Sequence, residues 1–183
     1  PGGCSQSPKG RSERAIAGCV GARRTIARCV KADSEVGEAR ILPWIAWHPG
    51  LPMLVQFRVE NHRSLRDEQV LSLVASSRGD RGEERLIGVP GLELTLLPAV
   101  ALYGANGSGK TSVLHALAFM CDAVRRSHRA WEPGGGTPRE TFLLSSKVQA
   151  PSRYEVEIVV DGTRFRYGFV LGEQRVEEEW LFA

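Results

Sequence analysis

The sequence lacks the features that would assign it to a special class of protein. No run approaches the roughly 18 consecutive apolar residues of a membrane-spanning helix, because charge, Gly or Pro interrupts every candidate. The first thirty residues contain no apolar core of a secretory signal. With 42% hydrophobic and 25% charged residues, the 183-residue chain is neither fibrous nor wholly disordered. We therefore predict a soluble, cytoplasmic protein of one domain, with or without a tail, and no membrane partner.

Cysteine is scarce, and its spacing offers neither a metal site nor a disulfide framework. The four cysteines are Cys4, Cys19, Cys29 and Cys121. They form no C-x-x-C pair, and no histidine lies at zinc-ligand spacing from them. We expect reduced, structural cysteines in a reducing compartment.

An excess of positive charge is confined to the N-terminal part of the chain. Residues 1–52 hold eight Lys or Arg against four Asp or Glu, whereas residues 53–183 hold sixteen against seventeen. Binding to a nucleic-acid backbone needs basic residues clustered on a folded face, and the larger part supplies no net excess. Charge therefore gives no support for a DNA partner.

The same N-terminal part lacks methionine and any sustained helical or strand period. A short basic helix over residues 15–30 and local packing of Trp44 with Trp47 are the only structure it predicts. Because the first methionine is Met53, we predict that residues 1–52 are a basic extension upstream of the natural start, either a cloning artefact or translated non-coding sequence. A genuine disordered basic arm is the alternative. Residues 53–183 are then the folded domain.

After the extension the pattern changes to β-strands. Apolar and polar residues alternate over residues 54–61, which predicts a half-buried strand with one apolar face of Val55, Phe57 and Val59. Residues 69–75 predict its partner strand, and the polar residues between the two predict a turn.

A strand and a helix are predicted on either side of a glycine-rich turn. Residues 94–103 are nearly all apolar, as in a central strand of a parallel sheet, and the strand proper is expected to start at about Ala99. Residues 131–139, with three glycines and two prolines, predict a loop. Between turn and loop, residues 111–129 predict a helix whose buried stripe comprises Val113, Leu114, Leu117, Met120, Cys121 and Val124.

The last part of the chain predicts an antiparallel ribbon. Strands are expected over residues 142–148, 154–160, 163–171 and, with a weaker pattern, 175–182. Asp161-Gly162 is a strong two-residue hairpin signal between the middle two. The two strands beside it share one apolar face, formed by Tyr154, Val156, Ile158, Val160, Phe165, Tyr167, Phe169 and Leu171.

One motif carries chemistry. Residues Gly104-Ala105-Asn106-Gly107-Ser108-Gly109-Lys110-Thr111 satisfy G-x-x-x-x-G-K-[ST] between a predicted strand and a predicted helix. The glycines let backbone N–H groups converge on phosphate oxygens at the positive end of the helix. Lys110 is expected to stabilise charge on the β- and γ-phosphates, Thr111 to bind Mg²⁺, and Ser112 to complete the nucleotide contacts. ATP and Mg²⁺ are the predicted ligands.

Residues 53–183 resemble the N-terminal part of the AAA/ABC-type ATP-binding proteins related to SMC, RecF and the OLD group, bacterial AAA family ATPases. The resemblance is carried by residues 57–65, similar to a family strand ending in N-F-R-S-F, by residues 71–76, and by the phosphate loop. His62 stands where the family usually has Phe. The resemblance implies an α/β P-loop NTPase head with a parallel core strand and helix plus an antiparallel β-subdomain. It also adds Arg63 as a candidate nucleotide-binding residue.

The resemblance further implies what a complete head would contain. The family's signature motif, Walker B carboxylates and switch histidine follow well after the loop, and the chain ends before any match to them. We therefore expect a truncated head. Because hydrolysis in such families takes place between two heads, Mg-dependent ATP hydrolysis and a homodimer are expected only of the full-length protein.

Substitute catalytic groups have simpler explanations. Asp161 is explained by the hairpin turn, the run Glu177-Glu178-Glu179 by a solvated strand edge, and the histidines His115 and His128 by surface or hydrogen-bonded roles. Two alternative functions stay open. A small-molecule P-loop kinase would hold its acceptor near residues 131–139, although the β-rich remainder argues against it. An ATP-switched DNA-associated or phage-defence regulator would use the nucleotide only to change conformation.

Overall fold

In the residues that the structure describes, one α-helix lies on an antiparallel sheet. The computed structural model describes residues 52–76, 86–132, 134–144 and 150–183. Five strands form the main sheet in the order β2-β1-β5-β6-β7, and β3 and β4 form a two-stranded ribbon. Along the chain the elements are β1 (Met53–Glu60), β2 (Gln69–Ser72), β3 (Ile87–Gly88), β4 (Thr95–Leu96), α1 (Lys110–Ala130), β5 (Ser152–Val160), β6 (Thr163–Leu171) and β7 (Val176–Phe182).

The main core lies between α1 and one face of the sheet. The buried side chains of α1 are Ala116, Met120, Ala123 and Val124, whose three- and four-residue spacing forms a single stripe. Leu114 was expected in this stripe but is exposed, because one residue turns the helix by about 100°. The sheet side of the core is formed by Phe57, Val59, Tyr154, Val156, Ile158, Tyr167, Phe169 and Leu171.

A membrane-spanning helix, which would have to be both long and strongly apolar, does not occur in the part of the chain that the structure describes.

The predicted hairpin between β5 and β6 is confirmed. Asp161 and Gly162 have φ of 50° and 75°, and a two-residue hairpin of this type needs positive φ at both positions. Gly162 adopts this conformation without the steric cost of a Cβ atom. The register pairs Tyr154 with Phe169, so the apolar residues of both strands face α1 as predicted.

A bulge in β1 changes the face that Val55 occupies. The register between β1 and β5 shifts between Leu54 and Gln56. Phe57 and Val59 face α1, whereas Val55 packs in a second, smaller core on the opposite side of the sheet, with Val89, Leu96 and Val159. The prediction that Val55, Phe57 and Val59 share one face is therefore wrong, although all three are buried. The bulge adds one residue to β1, so the side chains before and after it alternate out of phase, and Val55 lies on the face opposite to Phe57 and Val59.

The predicted parallel core strand does not appear among the described residues. Thr95 and Leu96 form β4 instead, which pairs antiparallel with β3. Residues 99–103 form no strand, and the side chains that were expected to be buried are exposed: Val100 by 40%, Leu102 by 38% and Tyr103 by 91%. A strand that is buried on both faces needs strands beside it, and every described strand pairs antiparallel within the two sheets above. The mixed α/β class is confirmed and the parallel core is not.

Some predicted features lie outside the described residues. These are the basic helix over residues 15–30, the Trp44–Trp47 packing, and residues 145–149 of the strand that was expected over residues 142–148. The described start of that segment is irregular and ends in a turn at Leu143 and Leu144. The proposal that residues 1–52 are an extension therefore stays a prediction.

The face of the sheet away from α1 buries two carboxylates. Glu155 and Glu157 are only 4% and 6% exposed. Arg153 and Arg58 lie 3.4 and 3.8 Å from Glu155, and Arg164 pairs with Glu157. Trp180 of β7 donates its indole N–H to Glu155 over 3.1 Å. Buried charge is tolerated here because each carboxylate has a charged partner.

Gly168 of β6 makes room for this Trp180 contact, and its substitution by alanine tests the packing. A Cβ atom at Gly168 would overlap the Trp180 ring and lie 2.8 Å from the carbonyl oxygen of Tyr154. We expect Gly168→Ala to lower the free energy of unfolding by roughly 1–3 kcal/mol, measured by urea denaturation followed by circular dichroism. Gly88→Ala is the control, because nothing lies within 4 Å of a Cβ atom there. Equal stability of the two variants would contradict this account.

Candidate functional site

The phosphate-loop motif forms an exposed turn that leads directly into α1. Residues 104–108 are exposed, and Ser108 closes the turn by donating its N–H to the carbonyl oxygen of Ala105 over 3.2 Å. Gly109 is the N-cap of α1 with φ of 92°, a left-handed conformation that favours glycine. The cap has no side-chain hydrogen bond, and the first turn of α1 contains no acidic residue. The first N–H groups of the helix are therefore available to an anion.

Lys110 folds its side chain back over the loop. Its ammonium group donates hydrogen bonds to the carbonyl oxygens of Gly104 and Ala105 over 2.8 and 2.7 Å, and lies 3.4 Å from Ser108 Oγ. A positive charge is thus held within the loop and beside the positive end of a 21-residue helix. The exposed hydroxyl of Thr111 follows in the same turn. This arrangement is suited to a polyphosphate and its Mg²⁺ ion.

A second segment, the turn of residues 61–66, packs against the end of the phosphate loop. His62 and Leu65 exchange both backbone hydrogen bonds, over 2.9 and 2.8 Å, which closes the turn. Ser64 Oγ lies 2.6 Å from Ser112 Oγ of α1. A Cβ atom at Gly109 would lie 3.0 Å from Leu65 Cδ2, so the turn packs closely on the helix start. The predicted residues Gly109 and Ser112 are brought together with a segment 40 to 50 residues earlier in the chain.

Asn61 fixes this turn to two other segments. Its side-chain amide donates to the carbonyl oxygen of Ala150 over 2.7 Å, and its Oδ1 accepts from the N–H of Phe142 over 2.9 Å. Its own carbonyl oxygen accepts from Ser152 Oγ over 2.7 Å. Asn61 also has φ of 53°, which asparagine tolerates better than most residues. The end of β1 is therefore hydrogen-bonded on both sides.

Arg63, the further nucleotide-binding candidate, is held by Glu140. Its Nε and one terminal nitrogen donate to the two Glu140 carboxylate oxygens over 2.6 and 3.1 Å. The backbone N–H of Arg63 also donates to the carbonyl oxygen of Glu140 over 2.8 Å. The hydrogen bond from Arg63 lowers the pKa of the Glu140 carboxyl. Arg63 is thus placed beside Ser64 with its guanidinium group already paired.

His62 is fully buried between the turn and α1. Its Nδ1 lies 2.9 Å from the Tyr154 hydroxyl, and its Nε2 lies 3.1 Å from Nδ1 of His115. Burial, followed by the nearby His115, lowers the pKa of His62 from 6.5 to about 4. Because unfolded His62 takes up a proton more readily, its contribution to stability is present above pH 6.5 and is lost as the pH falls towards 4.

The other titratable residues considered in the sequence have the following positions, and His128 is exposed near the C-terminal end of α1. Asp161 lies in the hairpin turn, and His115 is hydrogen-bonded to His62. Glu177 and Glu178 are exposed on β7 as expected, but Glu179 is half-buried and accepts a hydrogen bond from the Tyr167 hydroxyl over 2.7 Å. No group of three metal-ligating side chains occurs among the described residues.

Sequence reasoning missed the residues that support the site from a distance. Glu140 and Tyr154 contact the turn across 77 and 92 positions of the chain, and Asn61 of the turn bonds to Ala150 across 89 positions. The one available signal was His62, a polar side chain at a position where the resemblance leads one to expect Phe. A buried histidine needs partners for its ring nitrogens, but the sequence does not say which residues supply them.

Replacement of Asn61 tests how far the turn depends on its side chain. We expect Asn61→Ala to lower the free energy of unfolding by about 1–3 kcal/mol, because partly buried backbone groups, among them the N–H of Phe142, lose a hydrogen-bond partner. Asn61→Gly removes the same hydrogen bonds but accepts positive φ, so it should be about 1 kcal/mol less destabilised than Asn61→Ala. Thermal and urea unfolding of both variants measure these differences. Wild-type stability in Asn61→Ala would show that the hydrogen bonds are dispensable.

Comparison with known proteins adds one match. Residues 99–183, which contain the phosphate loop, α1 and the strands β5 to β7, match the family model described as "AAA domain, putative AbiEii toxin, Type IV TA system". The match covers a little under half of the chain. Neither the curated proteins nor the solved structures gave a match. The comparison supports an AAA-type ATPase family, of the P-loop NTPase type, for residues 99–183.

Proposed function

We propose that this chain binds Mg-ATP through the phosphate loop of residues 104–111. The observation that carries the proposal is the position of Lys110, whose ammonium group lies over the loop at the uncapped start of α1. Glycine turn, lysine and helix N-terminus are the elements from which a polyphosphate site is built. The family match over residues 99–183 supports the same ligand class.

Each residue of the loop has a proposed task. The backbone N–H groups of residues 104–109 surround the phosphates, and Lys110 neutralises their charge. Thr111 and Ser112 follow on the first turn of α1, where the Thr111 hydroxyl would be a ligand of Mg²⁺ and Ser112 a further phosphate contact. A Mg²⁺ ion held there would neutralise negative charge on the phosphates.

We propose ATP hydrolysis only for a dimer of heads. Phosphate binding needs the contiguous residues of the loop, whereas activation of water needs a base and charge-stabilising groups from other segments. The likeness to SMC, RecF and OLD proteins suggests that a second head supplies such groups, as a homodimer. On this proposal the chain provides one nucleotide-binding half-site.

The alternative of a small-molecule kinase has less support. Its acceptor would have to lie near residues 131–139, beyond the C-terminal end of α1. Thr137 there is hydrogen-bonded to the carbonyl oxygen of Gly172 over 2.6 Å, at the turn between β6 and β7. Since α1 has 21 residues and is about 30 Å long, this loop begins far from Lys110, and its return to the turn at Glu140 places an ion pair with Arg63 there.

An ATP-switched regulator of a defence system is the second candidate function. The matching family is described as a putative AbiEii toxin of a type IV toxin–antitoxin system, which favours a regulatory or toxic role over metabolism. In that case nucleotide binding would change conformation or partner affinity without rapid turnover. DNA remains a candidate partner of such a protein, without support from the charge of residues 53–183.

Replacement of Lys110 tests nucleotide binding directly. We expect Lys110→Ala to weaken Mg-ATP binding roughly 10- to 100-fold, because one charge-assisted hydrogen bond to phosphate is lost. Isothermal titration calorimetry on the full chain measures the affinity, with and without Mg²⁺. Arg129→Ala is the matched control, since it removes a positive charge from the other end of the same helix. Equal affinities of wild type and Lys110→Ala would refute the proposed function.

A separate pair of variants tests whether Arg63 contacts the nucleotide. Phosphate and the Glu140 carboxylate would compete for the same guanidinium group. Arg63→Ala should therefore weaken Mg-ATP binding roughly tenfold, while Glu140→Gln should leave it unchanged or tighten it. The same calorimetric titration distinguishes the two. An equal loss in both variants would mean that the ion pair matters for the turn and that Arg63 does not bind phosphate.

A further inference from the structure

The pair of His62 and His115 joins the turn of residues 61–66 to α1. His62 is 0% exposed, and its Nε2 lies 3.1 Å from His115 Nδ1. Its ring also packs against the rings of Phe119 and Tyr154. A phenylalanine at this position would retain those ring contacts. The hydrogen bonds to His115 and Tyr154 are therefore what the histidine adds.

The same turn reaches the phosphate loop two residues later. Ser64 lies 2.6 Å from Ser112 through their hydroxyl oxygens, and Leu65 packs on Gly109. These contacts lie on either side of Lys110 and Thr111. A movement of the turn away from α1 would therefore displace Ser64 and Leu65 from Ser112 and Gly109, the residues on either side of Lys110 and Thr111.

We infer that His62 is a positioning residue of the nucleotide site, which through its hydrogen bond with His115 holds the turn of residues 61–66 against Gly109 and Ser112. The inference rests on the proposed nucleotide binding and adds to it a dependence on protonation. His62 does not touch the nucleotide itself. It acts through the turn.

The hydrogen bond between two histidines sets the proton dependence. A neutral imidazole has one N–H and one lone pair, so one ring of the pair must offer a lone pair to the other. In the arrangement in which His115 donates to Nε2 of His62, protonation of His62 removes the accepting lone pair, and the hydrogen bond over 3.1 Å is lost. His62 faces His115 from α1, Tyr154 from β5, and the charges of Arg63 and Glu140.

Burial and His115 keep His62 neutral at ordinary pH. They lower its pKa to about 4, while Glu140 acts in the opposite direction. The pair is consequently intact at neutral pH and is disrupted as the pH falls towards 4. Nucleotide affinity should follow the same course, because the turn is held only while the pair is intact.

A double-mutant cycle on the full chain tests the coupling. The affinity for Mg-ATP is measured by calorimetry at about pH 7 for wild type, His62→Phe, His115→Phe and the double variant. We expect each single change to weaken binding roughly tenfold and the double change to weaken it no further, because either one removes the shared hydrogen bond. His128→Phe, on the exposed end of the same helix, should bind as wild type does.

The pH profile separates positioning from simple packing. The ratio of wild-type to His62→Phe affinity should stay constant from about pH 7 to about pH 5 and fall towards one as the pH is lowered through 4 to about 3.5. Protonation of ATP divides out of this ratio, and circular dichroism at each pH confirms that both proteins are folded. If His62→Phe does not fold, the ratio for His115→Phe, whose side chain is more exposed, gives the same test.

The possible failures are distinguishable. The role of His62 would be overturned if the effects of His62→Phe and His115→Phe on affinity were additive, or if the ratio of wild-type to His62→Phe affinity did not change with pH. Binding that depends on Lys110 would in that case still support the proposed function. Wild-type protein that binds no Mg-ATP would overturn both.

Discussion

The end of β1 must leave the sheet between β5 and the start of α1 without leaving buried polar groups unpaired. Asn61 meets this requirement with its amide and carbonyl groups, which bond to Ala150, Phe142 and Ser152. His62 meets it with both ring nitrogens. An unpaired buried donor or acceptor costs about 1–3 kcal/mol, so the alternatives to this turn are destabilised. Among the described residues, no buried side-chain nitrogen or oxygen lacks a partner.

The position of the phosphate loop follows from that turn and from the packing of α1. Met120 and Val124 hold the middle of the helix on the sheet, while Ser64 and Leu65 contact its first turn. The loop itself is exposed and has few contacts of its own. A binding loop of this kind is placed by rigid elements on either side of it. The position of the loop on the sheet is thus decided largely by residues that are not proposed to contact phosphate, whereas the Lys110 side chain is held by the loop itself.

Features that depend on neighbouring residues in the chain could be predicted from the sequence. Asp161-Gly162 gave the hairpin, since the turn type needs positive φ at these two positions, and the 3.6-residue period gave α1. Features that depend on distant partners could not. The side of the sheet occupied by Val55 depends on a bulge against β5, and the apolar run of residues 99–103 predicts a buried strand whatever lies beside it. Glu179 is half-buried because Tyr167 on the next strand donates to it.

The candidate site divides in the same way. Most of the residues proposed to touch the nucleotide lie at positions 104–112, so the eight-position motif is enough to find them, whereas Arg63 was added by the family resemblance. The residues that position them come from β1, α1, β5 and the segment around Glu140, and no local pattern joins these. His62 is one of the positioning residues, bonded to Tyr154 of β5 and His115 of α1. A phenylalanine could make the same ring contacts at this position, whereas the buried histidine also needs the hydrogen-bond partners that Tyr154 and His115 supply. The hydrogen bond of His62 to His115 therefore joins the turn to α1 with a defined geometry, which hydrophobic packing alone would not impose.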